Sequence, residues 1–279
     1  MCFTGVLATP ISVKLVVSAI HLIAQRGATM DVRLPTGRTE AGWFCMFYGL
    51  TDSGKTHLLG TANKSPLAGP ALFIDVDQGD RTLSGLDIDV VSVTTLDELQ
   101  EIYEFFAFEN DEYRSLCFDG FTSQHDDTTM PIVMKDDEMD LTQFKIPTLN
   151  NWGTSMFHVK KVLRAFKSLT RNEDKNRRID VFVSAMEQVD ERRDLGVPGL
   201  PGKLGVGVGA YVDVLARLVV QEDDEGKEVR YLRATKHVDD QDGFTYLGKN
   251  RLRLLPRRMK NPTIPRIMKR LAGEREEDR

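Results

Sequence analysis

Residues 48–62 read YGLTDSGKTHLLGTA, and the interpretation of the whole chain turns on them. Gly49, Gly54, Lys55 and Thr56 meet the spacing G-x-x-x-x-G-K-[ST]. That spacing has a mechanical meaning. The glycines let backbone N–H groups turn inward around phosphates, the lysine reaches the β and γ oxygens, and the threonine hydroxyl ligates Mg²⁺. Leu50, Thr51, Asp52 and Ser53 form the loop between the glycines, and His57 follows in the first turn of the expected helix. A glycine turn carrying an exposed lysine is the plain alternative. The flanks argue against it. GWFCMFY (42–48) is a short, aromatic-rich apolar run of the kind a buried parallel strand needs, and KTHLLGTAN (55–63) reads as a helix. Strand, glycine loop and helix stand in the order a phosphate-binding loop requires.

The chain has 279 residues, 41% hydrophobic and 28% charged, which suits one large α/β domain or one domain with appendages. Its net charge of −5 does not advertise a polyanion partner, but the charge is unevenly placed. Nine Lys/Arg and no acid lie between Lys249 and Gly273, whereas acids gather at 126–140 and 222–228. A basic run of this kind is either a nucleic-acid contact, with Arg257 and Arg258 as candidates, or a solvated arm. Cys2, Cys45 and Cys117 have no metal-ligand spacing and read as reduced thiols of a cytoplasmic protein. LVVSAIHLIA near the start resembles a signal core but is too short to span a bilayer, and His21 interrupts it. No membrane association is expected. Residues 1–29 read as an appendage, with Met30 as an alternative start, 30–248 as the core and 249–279 as a basic tail.

Further strands are expected in ALFIDVDQG (71–79), IDVVSV (88–93), RSLCFDG (114–120) and IDVFVSAM (179–186). Helices are expected in LDELQEIYEFFAFE (96–109) and NNWGTSMFHVKKVLRAFKSLT (150–170). Residues 122–148 read as a long polar loop, and GVPGLPGKLGVGVG (196–209) as a mobile glycine loop. VLARLVVQ and EVRYLRATKH then read as a hairpin. The fold class is therefore α/β, a mostly parallel central sheet flanked by helices, with an antiparallel C-terminal extension.

Nucleotide hydrolysis needs a carboxylate for Mg²⁺, a group that orients water, and positive charge for the transition state. Asp119 ends an apolar strand, the position of a metal-binding acid at the C-terminal sheet edge; a turn aspartate is the alternative. Asp75 and Asp77, two apart at the end of this strand, project to one face, and one of them can reach the water; turn acids are again the alternative.

Taken in order, the phosphate loop, FIDVDQG, SLCFDGFTS, VFVSAM, GLPGKL and YLRATKH…YLGKNRLRLLP resemble the phage RecA-like ATPases. This AAA-class set of nucleotide-binding proteins is related to single-strand annealing and recombination, and the likeness covers about residues 40 to 270. It implies a RecA-like P-loop core that binds ATP and Mg²⁺, with Thr56 and Asp119 at the metal and Asp77 at the water, one methylene shorter than the usual glutamate. Gly120 replaces the usual serine after the metal acid, and Met186 stands where a polar sensor is usual, leaving Glu187 or Gln188 to sense. Residues 187–208 match a DNA-contacting loop with Arg192, Arg193 and Lys203. Lys249 and Arg251 match a finger that reaches a neighbouring subunit's nucleotide; membership of the basic tail is the alternative. The resemblance further implies rings or filaments on single-stranded DNA in the bacterial host cytoplasm. The rivals are an ATP-gated DNA-binding module with little turnover, and a helicase-loader or motor ATPase.

Overall fold

The computed structural model describes residues 41–135, 145–223 and 225–274. The expectations for residues 1–29 and Met30 lie outside them. Strand β1 (Phe44–Gly49) is buried along its whole length. Its side chains alternate between two cores: Phe44, Met46 and Tyr48 enter one, Cys45 and Phe47 the other. That explains the unbroken apolar run, because a strand covered on both faces has no side left for polar residues. Helix α1 (Lys55–Gly60) follows the loop and continues as a tight turn through Thr61–Lys64.

Around β1 stand β2 (Ala71–Asp75), β3 (Asp89–Ser92), β4 (Ser115–Asp119), β5 (Asp180–Asp190), β6 (Leu195–Pro198), β7 (Val214–Glu222) and β8 (Glu228–Arg233). The order β8-β7-β1-β5-β4-β2-β3 is parallel from β7 to β3, and β8 joins antiparallel. The mostly parallel sheet with an antiparallel extension is thus as expected. β5 lies between β1 and β4, so three strand ends converge where the loop leaves the sheet. Helices α2 (Leu96–Glu104) and α3 (Leu149–Leu169) cover one face. Each begins at a threonine whose hydroxyl accepts from the backbone N–H three residues on, Glu98 for Thr95 and Asn151 for Thr148.

Three expectations change. Residues 121–134 are helical rather than a loop, turning through Phe121–Ser123, Gln124–Thr129 and Met130–Met134; residues 136–144 lie outside the description. The segment disguises itself by burying polar groups against one another: Gln124 donates to Thr129 at 2.7 Å, and the His125 ring lies 3.1 Å from the Ser155 hydroxyl. The glycine-rich stretch is ordered, because Leu200, Leu204 and Val208 are buried in the first core. The basic stretch is no tail. β11 (Lys249–Asn250) pairs with β7, β12 (Met259–Lys260) pairs with β8, and helix α4 (Ile264–Leu271) buries Ile264, Ile267, Met268 and Leu271 in the second core. The two-residue strands β9 (His237–Val238) and β10 (Thr245–Tyr246) extend a small sheet from β6.

At the foot of the sheet, Asp180 accepts from the Trp43 N–H at 2.6 Å, and burial pushes its carboxyl from 3.8 up to about 7. A carboxyl raised by folding stabilises fully below its unfolded value, and that contribution is lost as pH rises through the folded one. At ~1.4 kcal/mol per unit, about 2 kcal/mol should disappear between pH 5 and 7. Urea melts of the parent against Asp180→Asn should show this difference, with the variant gaining on the parent as pH rises.

Candidate functional site

The sequence places a glycine at each point where the loop has no room for anything else. A Cβ on Gly49 would lie 2.3 Å from the Leu218 carbonyl oxygen of β7. Gly54 has φ of 92°, in the left-handed region that favours glycine. Gly54 also caps α1, with no side chain bonded to the first-turn N–H groups and no acid in that turn. An anion therefore meets those groups without a competitor. Thr51, Asp52, Gly54, Lys55, Thr56 and His57 form one wall of a cleft of about 680 Å³, and Asp77, Thr82, Asp119, Met186 and Arg230 the other. Leu50 is exposed at the loop's tip, and Ser53 is buried beneath it.

Lys55 is half-buried, and its ammonium donates to the carbonyls of Gly49 (3.1 Å) and Leu50 (2.8 Å). Burial lowers its pKa, and Asp119, Asp77, Glu187 and Asp52 in turn favour its charge. The loop carbonyls are weak partners for an ammonium, and phosphate oxygens are stronger ones.

Thr56 donates to Asp119 Oδ2 at 2.6 Å across the cleft, joining the first turn of α1 to the end of β4. The other carboxylate oxygen accepts from the Ser184 hydroxyl of β5, which itself accepts from the Gly120 N–H at 3.0 Å. Burial raises the Asp119 pKa, with Asp77 adding to the rise, while the Ser184 and Thr56 hydroxyls and Lys55 oppose it. A buried carboxylate already oriented by two hydroxyls is a ready partner for a cation. Among the described residues no three His, Cys, Asp or Glu gather as a metal cage. The donor set is one hydroxyl and one carboxylate, which fits Mg²⁺, an ion that takes few protein oxygens and leaves the remainder to phosphate and water.

Asp75 and Asp77 part company because β2 stops at Asp75. Asp75 is buried and accepts from the Gly79 N–H at 3.1 Å, closing the turn, whereas Asp77 lines the cleft. The departure at Gly120 now has a cause. Its φ is 82°, and a Cβ there would fall 2.6 Å from Asp77 Oδ1. A serine at 120 would displace Asp77, and Ser184 on the neighbouring strand supplies the hydroxyl instead.

Met186 lines the cleft, but Glu187 does not share it as a free sensor. Both Glu187 oxygens accept from Arg217 (2.8 and 3.0 Å), whose guanidinium also bonds Asp239 and lies 3.2 Å from the centre of the Tyr246 ring. This buried knot fastens the base of the β5–β6 hairpin to β7. Gln188 is exposed. Arg192 and Arg193 occupy the exposed turn of that hairpin, where Arg193 pairs with Asp190 at 3.1 Å, and Lys203 is exposed farther along. Arg257 is exposed; Arg258 lies 3.5 Å over the Tyr231 ring and donates to Gln221.

Lys249 and Arg251 are not at the cleft. Lys249 faces Leu215 on β7 and donates to the carbonyls of Gly209 and Val212, while Arg251 pairs with Asp213 at 2.9 Å. Val214, beside them, is level with Cys45, four residues before the loop leaves β1, or ~13 Å at ~3.3 Å per residue. Both cations are engaged within their own chain at the opposite end of the strand, so they serve no part of this chain's own cleft. Sequence reasoning missed Ser184, Thr82 and Arg230. A lone serine in the apolar VFVSAM was the available signal for the first; the other two come from chain segments with no motif.

Among the described residues no helix is long and apolar enough to cross a membrane. Residues 41–252 match the family described as an AAA domain. No curated protein matches the sequence. Among solved structures, the flagellar accessory protein FlaH from Methanocaldococcus jannaschii is 11% identical at a TM-score of 0.39, over 81% of this chain and 88% of that one. An ATPase from the type III secretion system of pathogenic bacteria is 14% identical at 0.42, over 64% and 51%. The ATPase DotB of Legionella pneumophila is 8% identical at 0.30, over 72% and 47%. The chain thus spans most of the first protein and about half of the other two.

Proposed function

Because the chain belongs to the AAA-domain family, we propose that it is an ATPase working with Mg²⁺ on single-stranded DNA. The observation that carries the ATPase reading is the Thr56–Asp119 contact at the mouth of a glycine loop, with Lys55 and Asp77 in the same cleft. Lys55 and the first-turn N–H groups of α1 hold the phosphates. Thr56 and Asp119 would hold Mg²⁺, which supplies positive charge to the phosphate oxygens when bound. Asp77 orients the attacking water and accepts its proton. The DNA partner and assembly into rings or filaments follow the phage recombination proteins that the motifs resemble. Arg192 and Arg193 support the DNA partner, being exposed on a hairpin that extends β5 past the same sheet edge.

The capture of both Glu187 oxygens by Arg217 favours a second reading. With Met186 beside it, β5 lends the cleft no polar side chain among the described residues, which suits an ATP-gated DNA-binding module with little turnover. Steady-state phosphate release with and without single-stranded DNA separates them. Stimulated release supports the ATPase; ATP-dependent DNA binding without release supports the module. Nucleotide-independent behaviour in both assays rejects both.

A further inference from the structure

β8 alternates across the sheet as any strand does, and its two sides have different neighbours. Leu232 belongs to the second core, together with Leu58 and Leu59 of α1. Two residues earlier on the same side stands Arg230, beyond the reach of that core and over the phosphate loop. A Cβ on Gly54 would lie 2.7 Å from the Arg230 Nε and 3.0 Å from its Cδ. The space a side chain at 54 would take is filled by this guanidinium.

The backbone at Arg230 is held from both sides, paired to Val220 of β7 and accepting from the Asn261 N–H at 2.8 Å. The side chain itself is exposed and makes no hydrogen bond or ion pair with a described residue. Among the cleft's residues it is the one arginine. Asp119, a carboxylate of the same cleft, is already taken by Thr56 and Ser184. A guanidinium with a fixed root and unused donors, resting on the capping residue of α1, is arranged for an anion that the same helix end receives.

We propose that Arg230 is a second phosphate-binding cation of the nucleotide site, supplied in cis by the antiparallel extension. It clamps the polyphosphate of a nucleoside di- or triphosphate against the Gly54 turn. This rests on the nucleotide reading above and adds a contact to it. Because Gly54 and Arg230 meet at the start of α1, the contact serves ATP and ADP alike and takes no account of the base.

Titration calorimetry with Mg²⁺ and a non-hydrolysable ATP analogue, ADP and GDP tests it on the full chain. Arg230→Ala should weaken all three by about tenfold, the worth of one charge-assisted contact. Arg230→Lys should recover part of the loss, keeping the charge without the fork. Unchanged melting temperatures would show that neither variant fails through misfolding, and the exposed side chain makes that the expected result. Wild-type affinity in Arg230→Ala overturns the clamp, as does a loss confined to adenine nucleotides or a loss of single-stranded DNA affinity alone. If the parent chain binds no nucleotide, it is the nucleotide reading that fails; if the parent binds and the variants match it, only the clamp does.

Discussion

Lys55→Ala should lose at least about 100-fold in ATP affinity and keep its fold, because the lysine's charge-assisted contacts to phosphate are worth about 3 kcal/mol or more. The structure gives the second half of that statement its reason. Lys55 is half-buried, burial opposes its charge, and its present partners are two carbonyls of the loop. Leu50, one of these, is 60% exposed, so water can replace the ammonium there. Removing the lysine therefore costs the ligand-free protein little, and its melting temperature should stay within a few degrees of the parent. Calorimetry and a thermal melt check both parts. Retained affinity would end the phosphate-loop assignment; a collapsed melt would show that Lys55 holds the loop together rather than the ligand.

Asp77→Asn should leave nucleotide affinity within about threefold and lower kcat by roughly 100- to 1,000-fold, as expected for a general base whose contact matures in the transition state. Asp77 reaches the cleft from the turn beyond β2 and lies against Gly120, where no side chain intervenes. Asp77→Glu is the informative companion. If the shorter side chain limits the rate, the glutamate raises kcat; if its carboxylate is pushed out of line by Gly120, kcat falls with affinity unchanged. Equal rates in all three proteins would make Asp77 a turn residue only and put the catalytic carboxylate elsewhere.

The parts of the molecule that could be read in advance are those where local chemistry and tertiary position agree. β1, α1, β4 and α3 each announce themselves, because a strand buried on both faces must be apolar throughout and a loop around phosphate must be glycine-rich. Residues 121–134 stayed hidden since their burial is polar: Gln124, His125 and Thr129 satisfy one another and their neighbours, and composition cannot distinguish that from solvation. α4 was masked differently. Ile264, Ile267, Met268 and Leu271 have clean helical spacing, but the surrounding Lys and Arg dominated the reading of that stretch. The site divides along similar lines. Lys55, Thr56, Asp77 and Asp119 come with their motifs. Ser184 and Arg230 are functional only through what lies beside them, Asp119 65 residues from the first and Gly54 on another element from the second.

The seating of α4 changes where this protein can be cut. The Ile264 N–H donates to the Thr61 hydroxyl at 2.9 Å, so the last helix is tied to the turn that continues α1. β12 meanwhile lies beside Leu232, and Asn261 holds the carbonyl of Arg230. A shortened chain ending at residue 252, the limit of the family match, would strip that support away. It would expose Leu58, Leu59 and Ala62 to water and leave β8 as an unguarded edge, a surface prone to join other copies through its bare strand. Expression fragments should therefore run through at least Leu271. An insoluble shorter fragment would reflect a missing wall of the domain and say nothing about the nucleotide chemistry.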